Sequence, residues 1–390
     1  MQSAFDEIIN REHTGSVKHT LRSGESGVIP MWVADMDFRV PEQVTEALAA
    51  VARHGIFGYT DPDESYDHMV CGWYRRNFGW EAKPEWNIRT PGVVFSIACT
   101  IRALTSEGDS VLIQQPVYYP FMEIIRDNGR RIVVNELRFD GGKYEIDFAD
   151  FEGKIKANRV KLFILCSPHN PVGRVWTKDE LSRMGEICLK HGVYVISDEI
   201  HSDFVFSGHR HTVFADVSPA LANITITCTS PMKTFNLAGL QTANIFIVDA
   251  KLWSVFLKEY RKTGYAFLNT AGLAATKAAY LHGQSWRDEL IAYLEENVAC
   301  LRMSLAETNG VVKLTPPEGT YLMWLDCRRL MMSDTELNRF FIKKAKLKLH
   351  KGVTFGKSGS GFMRMNIACP KSTIERAVGN LKNAIKEAGV

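Results

Sequence analysis

Several common signatures are missing from this chain. No Cys-x-x-Cys pair occurs among its eight cysteines, which stand singly at 71, 99, 166, 188, 228, 300, 327 and 369. That removes zinc ribbons and paired redox thiols, and scattered thiols in a large chain read as reduced, hence a cytoplasmic home. No apolar run approaches the ~18–20 residues that span a bilayer, so membrane insertion is not expected. Met1 to Thr20 carries Asp6, Glu7, Arg11, Glu12 and Lys18 and lacks the apolar core of a secretory leader. Excess charge is also lacking: 47 basic against 44 acidic residues leave a net +3, which gives no footprint for nucleic acid. The one close histidine pair, His209 and His211, lies in a polar stretch and reads as a solvated loop; no metal is expected. No internal repeat or low-complexity segment is visible.

What is present suits a folded α/β chain. The 390 residues predict two to three domains, and 45% hydrophobic with 23% charged residues is ordinary globular composition. A chain this long buries roughly three quarters of its unfolded surface and needs no covalent staple. Its middle alternates strand and helix signals. Ser110–Gln114, Arg131–Leu137, Lys161–Leu165, Val193–Ile196, Ile224–Thr229 and Ile245–Val248 read as strands, with a turn at Asp140-Gly141-Gly142. Pro120–Asp127 and Asp179–His191 read as helices, the second with Leu181, Met184, Ile187 and Cys188 on one face. Such alternation predicts a mainly parallel sheet covered on both faces. After one long helical pattern, Ser285–Ala306, the signals become α+β: strands at Val311–Leu314, Tyr321–Leu325 and Phe362–Asn366, then a helix Lys371–Ala388. Pro41–His54 is a further helix. The expected organisation is a large domain at 45–284 and a smaller one formed by 1–44 and 285–390.

Ligands of open parallel sheets sit at the carboxyl ends of the strands. Three segments follow such ends: Cys166-Ser-Pro-His-Asn-Pro-Val-Gly173, Ser197-Asp-Glu-Ile-His201 and Thr229-Ser-Pro-Met-Lys-Thr-Phe-Asn236. Taken singly, Asn170 reads as a turn former, Asp198 as a helix cap and Lys233 as a solvated lysine. Together they offer an amide, a carboxylate and an amine along one sheet edge. Pyridoxal phosphate asks for that set: an amine to condense with its aldehyde, a carboxylate for its ring nitrogen, an amide for its ring oxygen.

The order Asn170, Asp198, Lys233 resembles the fold-type I pyridoxal-phosphate enzymes, the aspartate aminotransferase-like fold. That resemblance implies a large, mostly parallel seven-stranded sheet domain plus a smaller α+β domain. NREHTGSVKHT (10–20), PMWVADMDF (30–38), GIFGYT (55–60), QPVYYPF (115–121), CSPHNPVGRVW (166–176), SDEIHSDF (197–204), KTFNLAGL (233–240), EGTYLMWLD (318–326) and GFMRMNIACP (361–370) are similar to the MalY/PatB-type cystathionine β-lyases, a cystalysin-like C–S lyase family. The resemblance implies cleavage of L-cystathionine, L-cysteine or S-substituted cysteines to a thiol, pyruvate and ammonia. It makes Lys233 the Schiff-base lysine and Asp198 the partner of the pyridinium. Asn170 and His201 lie at the ring oxygen, and Tyr118 stacks on the ring and shares the proton work. The amides of Val93 and Val94, at the start of a helix running to about Leu104, and the hydroxyl of Ser230 hold the phosphate. Tyr59 reaches it from the partner of a homodimer. Arg364, with Ala34 and Asn170, takes the substrate, its guanidinium fork gripping the α-carboxylate. A regulatory protein partner, implied for some members, has no surface motif here and is not expected.

Two departures bear on the activity. Met232 precedes the lysine where relatives often carry Ser, and Gln241 stands where aspartate-type aminotransferases carry a phosphate-binding Arg. His201, three after Asp198, replaces the Tyr common in aminotransferases and favours lyase. An aminotransferase of the same fold is the alternative.

Overall fold

Seven strands carry the molecule's main sheet. They are β1 (Asn87–Thr90), β2 (Ser110–Gln115), β3 (Arg131–Glu136), β4 (Leu162–Cys166), β5 (Tyr194–Asp198), β6 (Thr225–Thr229) and β7 (Ala243–Ile247). The computed structural model describes residues 3–20, 25–140 and 142–389. Gly141 of the expected turn and residues 1, 2, 21–24 and 390 of the expected terminal domain lie outside them. The strand order is β1-β7-β6-β5-β4-β2-β3. All neighbours pair in parallel except β7, which runs antiparallel to both β1 and β6. Strands β2, β4, β6 and β7 are buried along their whole length, as a sheet covered by helices on both faces requires.

The expected strands and helices shift by only one or two residues. Asp179–His191 begins at Lys178, where Thr177 and Glu180 close a capping box, and Leu181, Met184 and Cys188 face the core. Val93–Leu104 forms a helix behind Gly92, as expected. Strand β1 gave no apolar signal. Its sequence Asn-Ile-Arg-Thr alternates at the sheet edge, where half-burial suffices.

A second, antiparallel sheet lies to one side, formed by β8 (Lys313–Leu314), β9 (Leu322–Asp326), β10 (His350–Lys351) and β11 (Phe362–Asn366) in the order β8-β9-β11-β10. Helices Gln284–Ala306 and Lys371–Glu387 pack with it. The N-terminal segment joins here: Ile29–Pro30 pairs in parallel with Leu347–Lys348, and Phe5, Ile29 and Met31 enter the same apolar core as Leu381 and Ile385. Arg174 ties the two sheets together. Its Nε donates to Glu318 at 2.8 Å, its Nη2 to both oxygens of Glu180, and its plane lies 4.6 Å over the Trp176 ring. Among the described residues no helix is long and apolar enough to cross a membrane.

The His209–His211 segment needs a correction. His209 is exposed, but His211 is buried and its Nε2 meets Glu199 at 2.8 Å. Glu199 also accepts from Ser197 Oγ and Phe214 N, so the pair is an internal brace behind β5 rather than a solvated loop. Among the described residues no group of three or more His, Cys, Asp or Glu gathers as a metal site.

Candidate active site

The carboxyl ends of β4, β5 and β6 open onto a cavity of about 730 Å³. Ala34, Val93, Val94, Tyr118, Asn170, Asp198, His201, Lys233 and Arg364 all line it. Nine expected site residues, drawn from both sheets and from the N-terminal segment, thus meet at one point.

Lys233 sits in the Pro231–Thr234 turn after β6. Its Nζ donates to the Ala34 carbonyl at 2.6 Å, which also accepts from Tyr321 OH at 3.1 Å. Burial pulls the ammonium down to about 8; Asp35 opposes that, Arg364 adds to it and Asp198 opposes it. The turn is pinned from behind, because Thr234 Oγ1 donates to buried Asp203 at 2.6 Å and Trp73 Nε1 donates to the same carboxylate. Asp198 ends β5. Burial pushes its carboxyl up to about 7, against one bond from Ile200 N at 3.2 Å. A carboxylate so raised gains much from a cationic partner.

Arg364 projects from β11 and is 3% exposed. Its Nη1 donates to Asn170 Oδ1 at 3.0 Å and its Nη2 to the Trp32 carbonyl at 2.9 Å, while its buried Nε has no partner. Burial lowers the guanidinium to about 10. A buried cation at a cavity wall, with a donor still unpaired, suits a carboxylate ligand. His201 is held neutral, first by burial and then by Lys233 and Arg364, and its Nδ1 is likewise unpaired. The Val93–Leu104 helix turns its N-terminus to the cavity at Gly92, with Val93 and Val94 in the lining. Burial raises the Tyr118 hydroxyl well above the usual range, so the phenol stays protonated.

Two expected residues stand apart. Ser230 does not line the cavity; its hydroxyl donates to the Thr242 carbonyl at 2.6 Å and caps the Lys233 turn through Met232 N. Tyr59 is 92% exposed beside Phe267, in a surface recess of its own. A residue expected from a partner subunit belongs outside its own chain's cavity. The sequence reading missed other walls. Trp32, Tyr119 and His350 line the cavity, His350 lying opposite Arg364 in the β10–β11 register. No spacing signal marks them, because strand pairing alone brings position 350 to position 364. Met232 and Gln241 also line it, at the two departures noted above. So does Cys166, whose thiol burial pushes far up and keeps protonated.

The donor set fits pyridoxal phosphate: an amine of lowered affinity for its proton, a carboxylate in want of a cation, a helix N-terminus for an anion and an aromatic wall. The chain belongs to the class I and II aminotransferase family, whose model matches residues 26–381. Within that family it is similar to the cystathionine beta-lyase PatB of Bacillus subtilis, with 44% identity over 385 residues, 98% of this chain and 99% of that protein. Protein MalY of Escherichia coli is 30% identical over 387 residues, 98% of each chain. The crystal structure of cystalysin from Treponema denticola, which contains a pyridoxal 5'-phosphate cofactor, superposes with a TM-score of 0.96 at 37% identity and covers both chains completely. The resemblance read from the motifs and the fold it implied both hold.

Proposed function

We propose that this chain is a pyridoxal-phosphate-dependent carbon–sulfur β-lyase that converts L-cystathionine, L-cysteine or S-substituted cysteines to a thiol, pyruvate and ammonia. The observation that carries the reading is the meeting of Lys233, Asp198, Asn170 and Arg364 in one cavity at the carboxyl edge of the sheet. Similarity to cystathionine β-lyases across the whole chain supports it over an aminotransferase.

The residues divide the work as follows. Lys233 would hold the cofactor through its amine, Asp198 would pair with the protonated ring nitrogen, and Asn170 would meet the ring oxygen with His201 beside it. Tyr118 would cover the ring, and the Val93 and Val94 amides would take the phosphate. Once bound, pyridoxal phosphate supplies an electron sink for negative charge at the substrate α-carbon. Arg364 grips the α-carboxylate as a fork, with Asn170 and Ala34 alongside, and so sets the Cα–H bond toward Lys233. The Lys233 amine, free once the substrate's own amine has taken its place and with its proton affinity lowered by burial, takes that proton. Lys233 or Tyr118 then delivers a proton to the departing sulfur, and hydrolysis of the remaining three-carbon fragment gives pyruvate and ammonia.

The assembly reading is a homodimer with Tyr59 reaching the partner's phosphate, supported by the exposed apolar group Ile56, Phe57, Tyr59 and Phe267. The domain reading keeps 45–284 as the cofactor domain and joins 1–44 to 285–390, supported by the pairing of Ile29–Pro30 with Leu347–Lys348. Eight unpaired, buried cysteines favour a cytoplasmic home. The test is pyruvate release from a panel of S-substituted cysteines without any keto acid. Release from at least one supports the lyase. A requirement for a keto acid acceptor, with stoichiometric amino transfer, overturns it.

A further inference from the structure

The segment Trp32–Phe38 crosses the cavity wall without joining a sheet ladder. Irregular backbone of this kind must find partners elsewhere, and here side chains supply them. Asn366 Nδ2 donates to the Val33 and Asp35 carbonyls, both at 2.6 Å. Asn236, three past the lysine, holds Met36 at both backbone atoms and reaches the Phe38 carbonyl at 3.1 Å. The strap in turn serves the site. Its Ala34 carbonyl receives Lys233 Nζ, and its Trp32 carbonyl receives Arg364 Nη2.

An ion cluster from the NREHTGSVKHT segment closes over this strap. Arg11 Nη2 lies 2.7 Å from Asp35, and its Nη1 lies 2.7 Å from Asp37 and 3.0 Å from the Met36 carbonyl. One guanidinium therefore spans the carboxylates on either side of Met36 with two short bonds, whereas the Lys18 ammonium, which also reaches both residues, stands 4.0 Å from the Asp35 carboxylate and 3.3 Å from its carbonyl. Lys18, 1% exposed, donates to Asp37 at 2.7 Å, and His19 Nε2 meets Asp37 at 3.1 Å. Burial alone would raise the Asp37 carboxyl, but His19, Lys18 and Arg11 together hold it well below the usual range. Three groups, Arg11, Lys18 and His19, none of which touches a reacting atom, thus converge on the carboxylates at the two ends of the tripeptide Asp35-Met36-Asp37.

We propose that Arg11 is a positioning residue for the lyase reaction: by bridging Asp35 and Asp37 it fixes the strap whose Ala34 carbonyl docks the Lys233 amine and whose Trp32 carbonyl aims Arg364. The inference rests on the lyase reading for its kinetic part alone. Without the fork, Asp35 is left with the longer Lys18 contacts, the Asp35 end of the strap loosens, Ala34 drifts, and the amine loses the acceptor that keeps it beside Cα. A displacement of an ångström at such a group costs up to about 100-fold in rate.

Arg11→Gln and the milder Arg11→Lys test this, with Arg39→Gln as control, since among the described residues Arg39 pairs with Glu7 alone, at the exposed surface. In cofactor-free protein, hydrogen–deuterium exchange at 32–38 should quicken in both Arg11 variants while the sheet strands keep the parent's protection. Modification of Lys233 by trinitrobenzenesulfonate, mapped by mass spectrometry, should change in rate in the same two variants. In the holoenzyme kcat for pyruvate release should fall by about tenfold or more, within the range expected of misplacement. Arg39→Gln should match the parent throughout. Parent-like exchange and labelling in folded Arg11→Gln and Arg11→Lys overturn the proposal. So does exchange that quickens uniformly across the chain, which marks a role in global stability only. Failure of the lyase reading shows separately, as a parent that releases no pyruvate, and leaves the exchange and labelling results standing.

Discussion

Asp198 and Lys233 face each other across the cavity with opposite titration shifts, and this makes the cofactor-free protein's stability depend on pH. The Asp198 carboxyl stands near 7 in the folded chain against 3.8 in the unfolded one. The folded state therefore binds the extra proton between those values, and stability falls as pH rises from about 4 to 7. Lys233 acts in the other direction: folded near 8 against 10.5, it makes stability rise between those values. Asp198→Asn should thus leave the cofactor-free protein close to the parent at pH 4. It should stabilise it relative to the parent by a few kcal/mol above pH 7, read from thermal or urea midpoints. A difference that stays constant over pH 4 to 8 would contradict the raised carboxyl. At this scale much of the site was legible. Asn170 and Lys233 follow strands and Asp198 closes one, and the sequence shows that nearly directly. Ser230 lies outside the cavity lining, its hydroxyl bonded to the Thr242 carbonyl, because a hydroxyl three residues from the lysine can turn either way. His211 was misplaced because polar neighbours such as Arg210 and Thr212 conceal a buried partner, Glu199.

Elements, rather than single groups, decide how the two sheets meet. Gly319 leads into β9 and bridges Val205 of the loop after β5. A Cβ there would stand 2.4 Å from the Phe204 carbonyl oxygen and 2.9 Å from Val175 Cγ2. Backbone cannot yield as a side chain can, so Gly319→Ala should destabilise the fold by about 1–3 kcal/mol. A denaturant midpoint equal to the parent's would show that the crossing tolerates the methyl. The strand–helix order was readable because β2 and β4 hold apolar runs, β6 is rich in β-branched residues, and their helices carry periodic faces. The direction of β7 was not, since a buried strand has the same composition whichever way it runs. Strand β1 stayed hidden for want of hydrophobic residues, and the Ile29–Pro30 pairing because two residues carry no periodicity.

For the whole molecule, the surface that matters is the recess around Tyr59. Phe57, Tyr59 and Phe267 are exposed to 70%, 92% and 48%. Leaving such rings in water forgoes about 1.5–3 kcal/mol each, which a second copy would recover. If the proposed homodimer forms through this recess, Phe57→Glu should give a monomer in sedimentation velocity at micromolar concentration, with loss of cofactor absorbance. A parent that already sediments as monomer would remove the dimer and with it the role of Tyr59. The strap bears on how the chain acquires its chemistry. Trp32 and Arg364 touch across a separation of 332 residues, and Ala34 and Lys233 across 199. No short fragment contains a rudimentary version of the centre, and contacts of such range form late. A growing polypeptide therefore carries both its strap and its lysine well before the guanidinium exists to hold them in place. Substrate recognition by this protein doubles as a report that its beginning and its end have found each other.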